Sequence, residues 1–362
     1  MVLLVSIASP TPAPTPASSQ LSVYVAVVSA AGALLVAIVS AIFSGVTARR
    51  QVVLKNRLDQ EAKAEDARQA YEYDARKRLY RECEPLLFQA RELANEARGR
   101  IIGLAIAARN GDIDEDGAGW LAKPGYYTLS TCYRLVAPAT TYLLLQRRLT
   151  DFDLGLEPRI QAQYEVLKLL YASVSDDFDL GETVGLDYHP DDADPGRRDR
   201  EKLRAEQPAI YWRQGLYRGT MSLVGDAFIL KEGEVRRCKT FSEFYVEAQD
   251  PQSSIGRVLP ELLELVQGFH PARRPVLWLV MVEQLMLYDV LRQCSKLKPN
   301  DEVTTLEPPS AGDYVADLRW RRKHGKVADE QAQDLAILTC VHDRVVKSTR
   351  ALLTDLTDPR RS

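Results

Sequence analysis

The sequence predicts an all-α protein: a single N-terminal transmembrane helix, a long helical stalk and a cytoplasmic multi-helix bundle. Three observations predict it. Residues Leu21 to Val46, LSVYVAVVSAAGALLVAIVSAIFSGV, carry no charged side chain. Beyond them, apolar residues recur every three or four positions, the period of a helix with one buried face. No segment sustains the two-residue alternation of a half-buried strand.

At about 1.5 Å per residue the uncharged stretch makes a helix of roughly 39 Å, more than a bilayer core requires. Only a helix carries its backbone through lipid with every amide satisfied. The first charged side chains are Arg49 and Arg50, and Lys55 and Arg57 follow before the first acid, Asp59. Basic residues flanking a span stay cytoplasmic, so the N-terminus is expected outside and residues 47 to 362 inside the inner (cytoplasmic) membrane. A cleaved signal peptide with Val46-Thr47-Ala48 at its end is the rival reading. It wants a basic n-region and a shorter apolar run, and this segment has neither.

Before the span, residues 1 to 20 form a Pro-rich lead, with proline at 10, 12, 14 and 16, a composition that favours an extended chain. Within the span, Ser29, Ala33, Ala37, Ala41 and Gly45 fall four apart on one face. Small residues at that spacing let two helices approach closely, so a homo-oligomer through this ridge is one expectation. Plain abundance of Ala and Gly in such spans is the other.

From Thr47 to Glu84 there is neither Gly nor Pro, and charge is dense. Acid-first pairs four apart, Asp59/Lys63, Glu72/Arg76 and Asp74/Arg78, support a helix. The thin stripe Leu54, Leu58, Ala62, Ala67 sustains no strict heptad. This reads as a solvated stalk of roughly 57 Å if fully helical, with the basic run at its root placed to meet anionic lipid. The stripe thickens through Ala75, Leu79 and Cys83. Pro85 should kink or restart the helix, and Asn110-Gly111 should end it.

The cytoplasmic domain is expected over 85–358, with helices at 128–148, 156–176, 208–231, 241–248, 255–268, 276–295, 312–323 and 328–356. Segment 276–295 is apolar nearly all round yet carries Glu283, Gln284 and Asp289. Two carboxylates argue against a second span and for the central helix of a bundle. Residues 182–207 are polar and Pro-punctuated and read as a loop.

Composition excludes little. A hydrophobic content of 46% suits a globular core, and a net charge of -3 gives no argument for nucleic acid. The five cysteines are far apart without C-x-x-C, which fits reduced, mostly buried thiols.

Several residues are candidate sites, each beside a plainer reading. Asp112-Ile113-Asp114-Glu115-Asp116-Gly117 matches the front of a calcium loop. Gly119 and Lys123 then depart from it, and an acidic turn between helices is the default. Tyr188-His189-Pro190-Asp191-Asp192 with Asp194 fits no metal-site spacing, so no metal is expected there. Arg213, Asp226, Glu283 and Asp289 are ionisable groups among apolar residues: a buried charge network, either a site or inter-helix ion pairs. Arg319, Trp320, Arg321, Arg322 and Lys323, with His324 and Lys326, form the densest basic patch, a candidate for anionic lipid, with a nucleotide or nucleic acid as the competing anion, or else a solvated helix face. His342 lies beside the apolar stripe of the last helix. No nucleotide, hydrolase or zinc motif occurs, so no cofactor and no catalytic residue can be named.

The segments Ser130-Thr131-Cys132-Tyr133-Arg134-Leu135-Val136-Ala137-Pro138, Arg148-Leu149-Thr150 with Asp153-Leu154, and Arg213-Gln214-Gly215-Leu216 resemble a set of uncharacterised bacterial membrane-anchored all-helical proteins. The likeness covers roughly residues 75 to 295. It implies the same layout of span, stalk and α-domain and carries over no site residues. Three functions are expected of such a chain: a membrane-anchored scaffold with an unknown cytoplasmic protein partner; a membrane-tethered helical hydrolase on a phosphorylated or lipid-derived substrate; or an effector that oligomerises through its span on a signal.

Overall fold

A computed structural model describes the chain except residues 1–17, 150–151, 187, 189–212, 234, 298–305, 322–326 and 358–362; it also leaves the side chains of 18–22, 232, 235, 327–331 and 352–357 undescribed. Residues 1–17 of the Pro-rich lead, most of the 182–207 loop, His189 to Asp194, and Arg322, Lys323, His324 and Lys326 of the basic patch lie outside the described residues, while 18–20 of the lead already belong to a helix. Of the described residues 77% are helical, and one two-stranded hairpin supplies the strand among them. The fold is all-α.

Two units make up the chain, Met1–Tyr73 and Asp74–Ser362. Helix α1, Ser18–Asn110, runs through both. In the first unit every described side chain from Val23 to Tyr71 is exposed, including those from Arg49 to Arg57. Among the described residues α1 is the one helix long and apolar enough to cross a membrane, and its apolar window is unburied.

In the second unit α1 buries a stripe beginning at Leu79 and Cys83 and continuing through Leu87, Ala90, Ala97 and Ile101. Pro85 sits inside the helix without ending it. The burial of Cys83, Leu86 and Leu87 around it holds the chain helical where local preference would break it. At the far end Gly111, at φ 84°, donates to Ala108 O and Asp112 donates to Ala107 O, the pair of bonds that closes a helix on a left-handed residue.

The other elements are α2 (Tyr126–Arg148), α3 (Pro158–Ser173), α4 (Asp177–Thr183), α5 (Arg218–Phe228), β1 (Ile229–Glu232), β2 (Val235–Cys238), α6 (Phe241–Glu247), α7 (Ser254–Val266), α8 (Pro275–Cys294), α9 (Ala311–Leu318) and α10 (Val327–Thr357). Helix α8 is buried on every side from Val276 to Leu291, because α3, α4 and α10 pack on it. Helix α2 lies against α3, α5 and α7, and Tyr133, Phe228 and Phe244 bring their rings to 5.2–5.9 Å there. Each large apolar side chain fully buried in this way contributes about 1.5–3 kcal/mol.

Three expectations need correction. The expected helix 208–231 is helical, among the described residues, only over Arg218–Phe228; Arg213–Tyr217 is not helical, and the chain then enters the antiparallel hairpin Ile229↔Cys238 to Glu232↔Val235. Strands of four residues are too short to reveal alternation, and Gln89 of α1 holds this one. Its amide donates to Cys238 O and accepts from Cys238 N, both at 3.0 Å. The expected helix 156–176 ends at Ser173, and α4 follows separately. The expected helix 312–323 stops at Leu318, so Arg319–Arg321 are not on a helix face.

Side-chain caps fix several helix ends. Thr240 and Glu243 form the reciprocal capping box of α6, legible as Thr-x-x-Glu. Arg274, 1% exposed, turns its guanidinium onto the carbonyls of Glu264, Leu265 and Gln267 that end α7. Burial pushes its pKa down to about 9. Pro275 begins α8 without an N–H, and the buried Gln214 supplies the cap: its Oε1 accepts from Val276 N at 2.8 Å and Leu277 N at 3.3 Å. Tyr188 locks this segment by donating to Asp177 at 2.6 Å while accepting from Gln214 N at 3.1 Å. Gly215 passes so close to Asp177 that a Cβ would sit 2.3 Å from its Cγ. Cys83, Cys132, Cys238 and Cys294 are buried and Cys340 is exposed.

Replacing Gln214 by Leu keeps the bulk and removes the cap, leaving two buried amides bare. We expect a loss of about 2 kcal/mol, read as a lower denaturant midpoint with helical content unchanged; an unaltered midpoint would show that the cap does not matter.

Candidate functional site

Arg213, Asp226, Glu283 and Asp289 do not form one network. Each meets a different partner. Arg213, in the segment before α5, pairs with Glu261 of α7 at 2.7 Å and lies 4.2 Å over the Tyr217 ring. Asp226 faces outward from α5 and pairs with Arg147 at the surface, where an ion pair is worth little. Their scatter has a simple cause: the sequence carried them on two apolar segments, and the run before α5, α5 itself and α8 turn them toward different neighbours.

Glu283, inside α8, accepts from Arg344 of α10 at 3.1 Å through Oε1. Its Oε2 has no hydrogen-bond partner among the described residues. Burial raises its pKa; Arg344 opposes the shift and Asp176 and Asp179 add to it. Asp289, two turns on, accepts from Tyr314 at 2.9 Å and Arg292 at 2.9 Å, with Arg98 of α1 at 3.7 Å. Burial, then Asp289, pushes the Tyr314 hydroxyl up. Three further ion pairs carry no sequence signature. Arg159 meets Glu84. Lys239, 4% exposed, meets Glu247 at 2.7 Å, and its carbonyl receives the Tyr133 hydroxyl at 2.7 Å. Arg98 also reaches Asp317 at 3.7 Å.

The acidic loop after α1 is a tied turn. Ile113 bridges to Gly119 and is buried, Asp116 Oδ1 accepts from Ala118 N at 3.1 Å, and Arg273 donates to Asp116 O at 2.9 Å. Among the described residues no three His, Cys, Asp or Glu side chains converge on a common point. His342 is half-buried, with Nδ1 3.5 Å from Asp343.

The described part of the basic patch borders a cavity. A pocket of about 240 Å³ opens between the end of α4, the start of α8, the end of α9 and α10. Its walls are apolar, with Leu186, Trp278, Leu279, Leu318, Ile337 and Leu338 among them. Ile337 and Leu338 reach it because α10 turns its Leu338, Val341, Val345 stripe inward. Trp320 stands at the mouth, edge-on to the His270 ring at 5.4 Å. Arg321 lies 5.1 Å over the Trp320 ring and 3.4 Å from Asp334. Arg319 is half-buried and lines the same pocket. The periodic reading missed this pocket because four separate elements build it.

The raised pKa of Glu283 fixes the sign of a pH effect. The folded state holds that proton more tightly than the unfolded one, so this contribution to stability is full below the ordinary value of 4.5 and is lost as pH rises through the folded value. Glu283→Gln should therefore flatten the fall in Tm above that pH, measured by thermal melts across a pH series. Parallel curves for the two proteins would mean that Glu283 does not titrate in the fold.

No protein-family model, no curated protein and no solved structure matches this chain, so its own residues carry the functional reading.

Proposed function

We propose that this chain is a membrane-anchored helical interaction protein. Its N-terminal helix crosses the inner membrane with the N-terminus outward and presents the unit Asp74–Ser362 to a cytoplasmic partner. The observation that carries this reading is the run Val23–Val46, apolar and exposed along its length. An exposed apolar surface of that extent is stable in lipid and not in water. Arg49, Arg50, Lys55 and Arg57 follow it before any acid, which sets the orientation.

Self-association is part of the proposal. Ser29, Ala33, Ala37, Ala41 and Gly45 are all exposed, and nothing lies within 4 Å of a Cβ built on Gly45. The Ser29 hydroxyl bonds to Ala26 O at 3.0 Å, so the ridge brings no bare polar group into lipid. The interior favours an interaction role over a hydrolase. Glu283, Asp289 and Arg213 are each held by a separate ion pair, and a hydrolase needs such groups converging on one open pocket.

Fusions at the C-terminus test the orientation: a fluorescent protein should glow and alkaline phosphatase should be inactive, and the reverse pattern would overturn it. Ala37→Leu, which widens the ridge, should lower the oligomeric state in detergent; an unchanged state would retire the ridge.

A further inference from the structure

We propose that the pocket beneath Trp320 binds a single-chain amphiphile with an anionic head, its chain against α8 and α10 and its head on Arg319 and Arg321. The chemistry of the walls chooses the chain. Leu186, Trp278, Leu279, Leu318, Ile337 and Leu338 offer carbon surface, and an apolar cavity gains little by holding water. At about the 30 Å³ share of a water molecule per heavy atom, the 240 Å³ takes about eight carbons.

The mouth chooses the head. Arg319 is half-buried and has no ion-pair or hydrogen-bond partner among the described residues, while Arg321 is the cation of the pair with Asp334. Two guanidinium groups and one carboxylate leave the described rim with a surplus positive charge, and a partly desolvated guanidinium is complementary to a carboxylate or a phosphate. The carbonyl end of α9, where Arg319 is the cap, favours a cation but does not require it at the edge of a cavity. Trp320 fits the junction between chain and head, since its ring is apolar and borders the charged rim. The ligand is thus one apolar chain with one anionic group, free fatty acid and lysophospholipid being its two sources. The pocket lies wholly within Asp74–Ser362, so this inference does not rest on the membrane reading. A chain that fails the fusion test and still binds the ligand keeps it.

The test uses the full chain in phosphatidylcholine nanodiscs, with 8-fluorooctanoate followed by fluorine NMR and empty discs as the blank for uptake by lipid. Octanoate should displace the probe, and each methylene removed should weaken binding about fourfold. Octanol should bind about tenfold more weakly than octanoate, the value of a charge-assisted contact. Arg319→Gln should remove most of that difference and leave octanol unchanged, a result that mere packing by Arg319 would not produce. Leu338→Trp, checked for an unchanged circular dichroism spectrum, should abolish binding of both. Octyl phosphate in place of octanoate reports the source: tighter binding points to a lysophospholipid, weaker binding to a free acid, and either supports the site. Equal affinity for octanoate and octanol, octanoate binding unaffected by Arg319→Gln, or a signal that survives Leu338→Trp would overturn the proposal. So would absence of binding, including the case where Leu338→Trp instead separates copies of the chain in sedimentation.

Discussion

A helix with no solvent-facing side can offer its polar groups only to its neighbours, and α8 sets that constraint for the whole C-terminal unit. Its apolar residues supply packing to α3, α4 and α10. Its polar ones dictate chemistry. Pro275 cannot donate, so the amides behind it need an acceptor brought from elsewhere, and buried Gln214 provides it. Glu283 draws Arg344 inward from α10. Asp289 collects Tyr314, Arg292 and Arg98. Burying a carboxylate without such partners costs several kcal/mol. The positions of α9, α10 and the segment before α5 follow from serving one central rod.

How much of this was legible in the sequence depended on the range of the interaction. Periodicity identified the Leu338, Val341, Val345 face of α10, because burial repeats with the helix turn, while α8 was marked by being apolar nearly all round. Asn110-Gly111 marked a helix end for a local reason, a residue free to take positive φ. The hairpin was invisible, since its four-residue strands depend on Gln89, far away in the chain. Arg213 looked helical beside apolar neighbours, but Gly215 approaches Asp177 and Gln214 reaches α8 from a backbone that is not helical there. Of the candidate charges, the sequence marked Glu283 and Asp289 as buried; their partners Arg344 and Tyr314 bore no mark, because a partner across space leaves no spacing along the chain. The pocket was hidden for the same reason.

The resulting interior is polar in isolated pairs and apolar in between. Charges that close on one another tie particular helices together. The pocket inverts that pattern, with carbon inside and cations at its edge.

The distribution of sulfur has a practical consequence. Burial pushes the Cys83, Cys132 and Cys294 thiols up to about 12 and Cys238 to about 11, which leaves almost no thiolate at neutral pH. Cys340 alone among the five is exposed, on the outer face of α10. A maleimide reagent under gentle conditions would therefore decorate the native chain at a single place without mutagenesis. The same four hidden sulfurs, becoming reactive together on unfolding, give an internal stopwatch for opening of the core.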